Sequence, residues 1–210
     1  MIELYTWNTP NGRKISIALE EMGLAYEVHP VNIGKNEQYR AAFQAISPNN
    51  KIPAIIDRET GLGIFESGAI LMYLGDKTGK FYSTAPEKRL RVHEWLMWQM
   101  SAIGPMLGRA HYFLKFNAGK SAFAEAWFRE EAKRLYAVLD RLLGTREYMC
   151  DTYSIADIAT FPWIARHEWQ RIDLKDYPHV RRWYLAIAAR APVRKGYAVP
   201  DAATQIPMPG

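Results

Sequence analysis

Residues 47–70, SPNNKIPAIIDRETGLGIFESGAI, decide how this chain is read. A polar turn, Ser47-Pro48-Asn49-Asn50, leads into Lys51-Ile52-Pro53 and the apolar run Ala54-Ile55-Ile56. Residues 57–61 are turn-like, Gly63-Ile64-Phe65 form a second short run, and Glu66-Ser67-Gly68 follow at once. These signals predict two short strands joined by a turn, then a helix opening on Glu-Ser. A proline at a strand start is tolerated where the ladder does not need its missing N–H. With a trans bond, Pro53 only begins the strand. A cis Ile52-Pro53 bond would turn the Ile52 backbone outward and offer its N–H and C=O to an extended peptide ligand.

Upstream, residues 2–7 read as a short apolar strand and Thr9-Pro10-Asn11-Gly12 as a turn. Residues 13–22 place Ile15, Ala18, Leu19 and Met22 on one helical face, and Gly23 stops the helix. Residues 25–33 alternate as a second strand, so the opening is β-α-β, a parallel pair with a right-handed crossover. Residues 36–46 suit a short irregular helix. Residues 67–78 suit a longer one, with Ile70, Leu71 and Leu74 on one side. The order βαβ–α–ββ–α makes this first domain α/β.

Thr9 and Asn11 sit where a strand ends and a helix begins, so main-chain N–H groups and the positive end of the helix dipole face outward. The Thr9 hydroxyl can donate one hydrogen bond and the Asn11 amide two. Threonine and asparagine before a helix also serve as plain N-caps, and spacing alone favours that reading.

Residues 2–14, IELYTWNTPNGRK, together with Ser47-Pro48-Asn49-Asn50-Lys51-Ile52-Pro53-Ala54, resemble the bacterial Nu class of glutathione transferases. That class includes glutathione-dependent disulfide-bond reductases and is kin to the yeast prion-forming transferase homologue. The likeness runs nearly end to end. It implies a thioredoxin-like domain followed by an all-helical one, a homodimer, and glutathione as co-substrate. It also implies that Thr9 and Asn11 hold the glutathione thiolate, since the class places a Thr and an Asn two apart in this loop. One charge-assisted hydrogen bond is worth about 1.5–3 kcal/mol, or roughly one to two pKa units, enough to bring a thiol near 8.5 down towards neutrality.

The resemblance makes Pro53 the cis-proline that follows an aliphatic residue, with Ile52 pairing to the ligand's cysteine. Ser67 would receive the γ-glutamyl carboxylate and Glu66 the ammonium. Gln38 and Lys51 could meet the glycine end, although an exposed Gln or Lys usually does nothing specific. Gln99 would reach the ligand from a long helix. Where the class has an arginine toward glutathione, this chain has Trp127. Arg129 and Arg134 lie near it in sequence; either would replace it, Arg129 being carried among the glutathione-binding residues, or the site is looser here. Tyr5 reads as packing, and the loop holds no serine or cysteine for serine-type transferase or glutaredoxin chemistry.

The 210 residues are 49% hydrophobic and 23% charged, as expected of a compact soluble protein. The +5 charge is scattered through helical stretches rather than gathered in a tract, which argues against nucleic acid and suits capture of a small anion. A single cysteine, Cys150, excludes an internal disulfide, a CxxC pair and a zinc cluster, so no metal is expected. Glu3 interrupts any charged-then-apolar leader, and no run approaches the roughly 20 apolar residues of a membrane span. A cytoplasmic protein that does not engage membranes is therefore expected.

We divide the sequence into a thioredoxin-like domain at 1–80, a proline-bearing linker at 81–86 and an all-helical domain at 87–210. Residues 87–116 read as one long helix or a kinked pair, bent at Gly104-Pro105. Residues 121–143 form another helix. Ser154 and Asp157 are spaced as a capping box, with Tyr153 and Ile158 at the staple positions, which makes Asp157 structural. A last helix follows Tyr177-Pro178 and ends near Arg190, and the tail from Pro192 reads as loosely held. His111, Tyr112, Phe116 and Trp163 suit either a hydrophobic co-substrate pocket or ordinary packing.

The expected activity is glutathione-dependent disulfide reduction, with weaker transferase or peroxidase activity. The alternatives are conventional conjugation of an electrophile and a non-catalytic binding protein of the same fold.

Overall fold

The computed structural model describes residues 1–210. The chain divides into two compact units, Met1–Tyr82 with Arg190–Ile206, and Ser83–Ala189 with Pro207–Gly210.

In the first unit the order is β1 (Ile2–Thr6), α1 (Pro10–Met22), β2 (Tyr26–Pro30), two 3-10 turns, a short α2 (Ala41–Gln44), β3 (Ala54–Asp57), β4 (Leu62–Phe65) and α3 (Ser67–Thr78). The sheet runs β2-β1-β3-β4, with β1 parallel to β2 and antiparallel to β3. Side chains alternate across it. Ile2, Leu4 and Ile55 are buried, as are Ile15, Ala18 and Leu19 of α1 and Ile70, Leu71 and Leu74 of α3. A separate cluster of Val31, Phe43 and Ala54 gathers Tyr5, Ile46 and Ile52. Gly23 and Gly79 end α1 and α3 in the left-handed conformation, at φ 72° and 66°.

The second unit is helical: α4 (Pro86–Trp98), α5 (Gly104–His111), α6 (Ala122–Leu143), α7 (Ile155–Ile164) and α8 (Pro178–Ala188). The bend expected at Gly104-Pro105 takes the form of a π turn, Gln99–Ile103, between α4 and α5, and a second π turn, Tyr112–Phe116, follows α5. Proline lacks an N–H and its ring crowds the carbonyl four residues back; a widened turn before it accommodates both. Every residue of α7 is buried. Its capping box is formed, and the Asp157 carboxylate accepts from Met149 N, Ser154 N, Ser154 Oγ and Trp183 Nε1 at 2.8–3.1 Å. No helix is long and apolar enough to cross a membrane.

The tail departs from expectation. Residues 191–197 form α9 (Ala191–Tyr197), and Val193, Gly196 and Tyr197 are buried. This segment belongs to the first unit, where it packs on α1, although the sequence pattern assigned it to the helical domain. Ser16 Oγ donates to Gly196 O at 2.7 Å, and Arg13 Nε donates to Tyr197 O at 3.0 Å. Arg190 pairs with Glu21 and Lys195 with Glu20. A tail rich in Pro and Ala reads as loose because its partners lie about 180 residues away in sequence.

Candidate functional site

Strand register brings the site together. Tyr5 pairs with Ala54 and Ala54 with Phe65, so the loop after β1, Ile52-Pro53 before β3 and Glu66-Ser67 after β4 share one end of the sheet. Thr6 pairs with Pro30, which directs the segment carrying Gln38 from that same end.

Thr9 is the N-cap of α1, with extended backbone, and its Oγ accepts from Gly12 N–H at 3.1 Å. The cap reading thus holds. It does not compete with the other reading, because capping uses a lone pair and leaves the hydroxyl hydrogen to donate. Asn11, half-buried, occupies the second helical position. A Cβ at position 12 would run into Trp7 O and Thr6 Oγ1, so only glycine fits there. Asn8 braces the loop from behind, accepting from Arg13 and donating to Thr204 Oγ1 at 3.3 Å.

The Ile52-Pro53 peptide is cis. Ser47 Oγ donates to Lys51 O at 2.8 Å, and Asn50 N donates to Ser47 O at 2.9 Å, closing the preceding turn. Neither the N–H nor the C=O of Ile52 carries an intramolecular hydrogen bond. Gln38 Oε1 and Asn50 Oδ1 are buried acceptors without partners, while Lys51 is exposed.

Glu66 caps α3 at φ +68°, ψ 113°, a region that disfavours any residue with a Cβ, and its side chain is exposed. Ser67, the first residue of α3, is buried, and Lys14 Nζ donates to its Oγ at 3.2 Å. Lys14 was missed by the sequence reading. Burial draws its ammonium down to about 7, with Glu66 pulling the other way. The signal was present: Lys14 lies four residues before Ala18, on the apolar stripe.

Gln99 and Arg129 belong to the second unit, Gln99 buried in the first π turn and Arg129 exposed on α6. Arg134 is tied to Glu131 through two contacts at 2.6 and 2.7 Å. The group His111, Tyr112, Phe116 and Trp163 is split. His111 and Trp163 stack in the interior, while Tyr112 and Phe116 are exposed. The Tyr5 hydroxyl donates to Glu3, and burial with that bond pushes it up to about 12, so it makes a poor acid for a thiol. Burial pushes the Cys150 thiol up to about 11. No group of three or more His, Cys, Asp or Glu is arranged to hold a metal ion.

The model of the glutathione S-transferase N-terminal domain matches residues 1–76, and that of the C-terminal domain matches residues 102–191. This chain belongs to the glutathione S-transferase family. Among relatives of this transferase, the disulfide-bond oxidoreductase YfcG of Escherichia coli is 44% identical over 196 residues, covering 90% of this chain and 91% of that protein. A Burkholderia graminis glutathione transferase, solved with two glutathione molecules bound per subunit, is 44% identical with a TM-score of 0.89, over 95% of this chain and 88% of the other. One from Pseudomonas putida, solved with one glutathione disulfide per subunit, is 42% identical with a TM-score of 0.88, over 95% and 91%. The transferase thus shares its α/β-then-helical architecture with proteins solved holding glutathione and glutathione disulfide.

Proposed function

We propose that this transferase is a Nu-class, glutathione-dependent disulfide-bond reductase with weaker conjugating and peroxidase activity, acting as a cytoplasmic homodimer. The observation that carries the reading is the Thr9 loop. A hydroxyl with a hydrogen left to donate and an asparagine two residues on stand at a helix N-terminus, with no serine or cysteine between them. Such a site stabilises a thiolate brought by the ligand rather than one supplied by the protein. The buried, high-pKa Cys150 is no substitute nucleophile.

Glutathione fits the remaining groups by chemistry. The unpaired main chain of Ile52, next to Pro53, would pair with its cysteinyl residue as an added strand does. Ser67 and the α3 N-terminus would take the γ-glutamyl carboxylate, and Glu66 the ammonium. Gln38 and Lys51 would serve the glycine end, and Gln99 and Arg129 are kept as proposed glutathione contacts. We keep the domain division at 81–86.

In the reaction, the glutathione thiolate attacks one sulfur of the substrate disulfide. The mixed disulfide forms, and the other sulfur departs as a thiolate that takes up a proton. A second glutathione thiolate then attacks the glutathionyl sulfur, giving glutathione disulfide and the second substrate thiol.

The test is glutathione-driven reduction of a small disulfide, coupled to glutathione reductase, for wild type, Thr9→Ala, Thr9→Ser and Asn11→Ala. Loss of one charge-assisted bond should lower kcat/KM at least tenfold in the alanine variants, while Thr9→Ser stays within a fewfold of wild type. Equal, slow rates in all four, with glutathione still bound, would overturn the reductase reading in favour of conjugation or simple binding.

A further inference from the structure

Lysine is almost never fully buried unless something in the fold uses its charge. Lys14 is 1% exposed, and its Nζ lies 3.2 Å from Ser67 Oγ, at the N-terminus of α3. With the ammonium donating to Oγ, the Ser67 hydroxyl hydrogen must point away from Lys14. Charge arithmetic gives a second reason for the lysine. Glu66 alone would leave this corner at about −1, against roughly +0.5 from the helix end. Those two sum to about −0.5, and a protonated Lys14 turns the corner to about +0.5, so that the carboxylate and the ammonium of an amino-acid head each meet an opposite charge.

We propose that Lys14 is a positioning residue of the γ-glutamyl subsite: held behind Ser67, it orients the serine hydroxyl and supplies the positive charge that the ligand's α-carboxylate needs. This inference rests on glutathione being the ligand. Burial brings Lys14 down to about 7, so near neutrality the cation is only partly formed, and carboxylate binding should draw in a proton. Affinity is then full below pH 7 and falls as pH rises above it.

The other charged groups on elements packed against α1 are largely engaged elsewhere. Lys77 of α3 pairs with Asp57 at 2.9 Å, Lys195 of α9 with Glu20 at 2.8 Å, and Glu3 of β1 with Arg58 at 2.6 Å. Tyr5 of β1 bonds Glu3, and Tyr197 of α9 lies under the Arg13 guanidinium. Asp76 stands at the far end of α3 and Arg194 on α9, while Glu66 is the carboxylate whose charge acts on Lys14.

The probe is S-methylglutathione, which has no titrating thiol, bound to the full-length protein in a calorimeter. At pH 7.5, two buffers of different protonation enthalpy should report about half a proton taken up per ligand. Wild-type Kd should weaken about fivefold from pH 6 to pH 8. Lys14→Met should bind more weakly at pH 6 and lose the pH dependence. The wild-type proton count stands on its own if that variant does not fold. Binding without proton uptake and with a flat pH profile would overturn the Lys14 proposal and leave the glutathione reading intact. So would a Met variant that keeps the wild-type slope. No binding at any pH would sink both.

Discussion

Glu66 holds a backbone conformation, φ +68° and ψ 113°, that costs a non-glycine residue about 1–3 kcal/mol. Its exposed carboxylate caps nothing, so no local hydrogen bond offsets that cost. The strain is understandable if Glu66 is kept for the ligand's ammonium. Glu66→Gly should therefore stabilise the protein by about 1 kcal/mol in chemical denaturation while weakening glutathione binding at least tenfold. A variant no more stable than wild type, or one that binds as tightly, would defeat the argument. At this scale the sequence was informative about polar residues in loops. Turn and helix-start signals placed Thr9, Asn11, Glu66 and Ser67 at helix starts, where the structure has them, and only the family resemblance gave them a part in binding. Lys14 was not singled out: although it stands four residues before Ala18 on the apolar stripe, a lysine following Arg13 in a helix reads as solvated. Its partner, Ser67, is 53 residues away, and nothing local announces the pairing.

Among the elements, α1 and α9 meet with their backbones almost touching. A Cβ on Gly196 would lie 2.5 Å from Ile17 Cα and 2.7 Å from Ile17 N. Backbone atoms cannot give way as a flexible side chain can. Gly196→Ala should force the helices apart, strip the Ser16–Gly196 and Arg13–Tyr197 hydrogen bonds, and destabilise the fold by roughly 2–3 kcal/mol. Urea denaturation of the variant checks this, and a cost under about 0.5 kcal/mol would show that the close approach does not matter. The α7 capping box was readable because its whole vocabulary lies within a few consecutive residues, from Tyr153 to Ile158. The α9 contact was unreadable for the opposite reason, since Gly196 has meaning only against Ile17. The π turn before Pro105 falls between these cases. The Gly-Pro pair announced a disturbance, but not that the helix would absorb it by widening.

Over the whole molecule, element order and hydrophobic period were enough to give an α/β part and a helical part, because both depend on local pattern. Which part residues 190–206 join depends on contacts across the chain, and the pattern carried no trace of it. The response of stability to acid is a property of the same kind, set by groups that the fold buries. His111 is stacked on Trp163 and bonded to Gln170, and burial draws its imidazole down to about 4. The unfolded chain protonates near 6.5, so this group's contribution is present above 6.5 and lost as pH falls towards 4. Asp157 acts in the opposite sense. Burial pushes its carboxyl up to about 6 despite the four donors around it, so its contribution is present below about 4 and lost as pH rises through 6. Each shift is about two pKa units, or roughly 3 kcal/mol, and the two should nearly cancel between pH 4 and 6.5. Single substitutions should expose them. Relative to wild type, His111→Gln should gain stability as pH falls through this window, and Asp157→Asn should lose it. Urea midpoints at half-unit pH steps, with each variant referred to wild type at the same pH, measure the two slopes. Parallel profiles for all three proteins would show that neither buried group governs the response to acid.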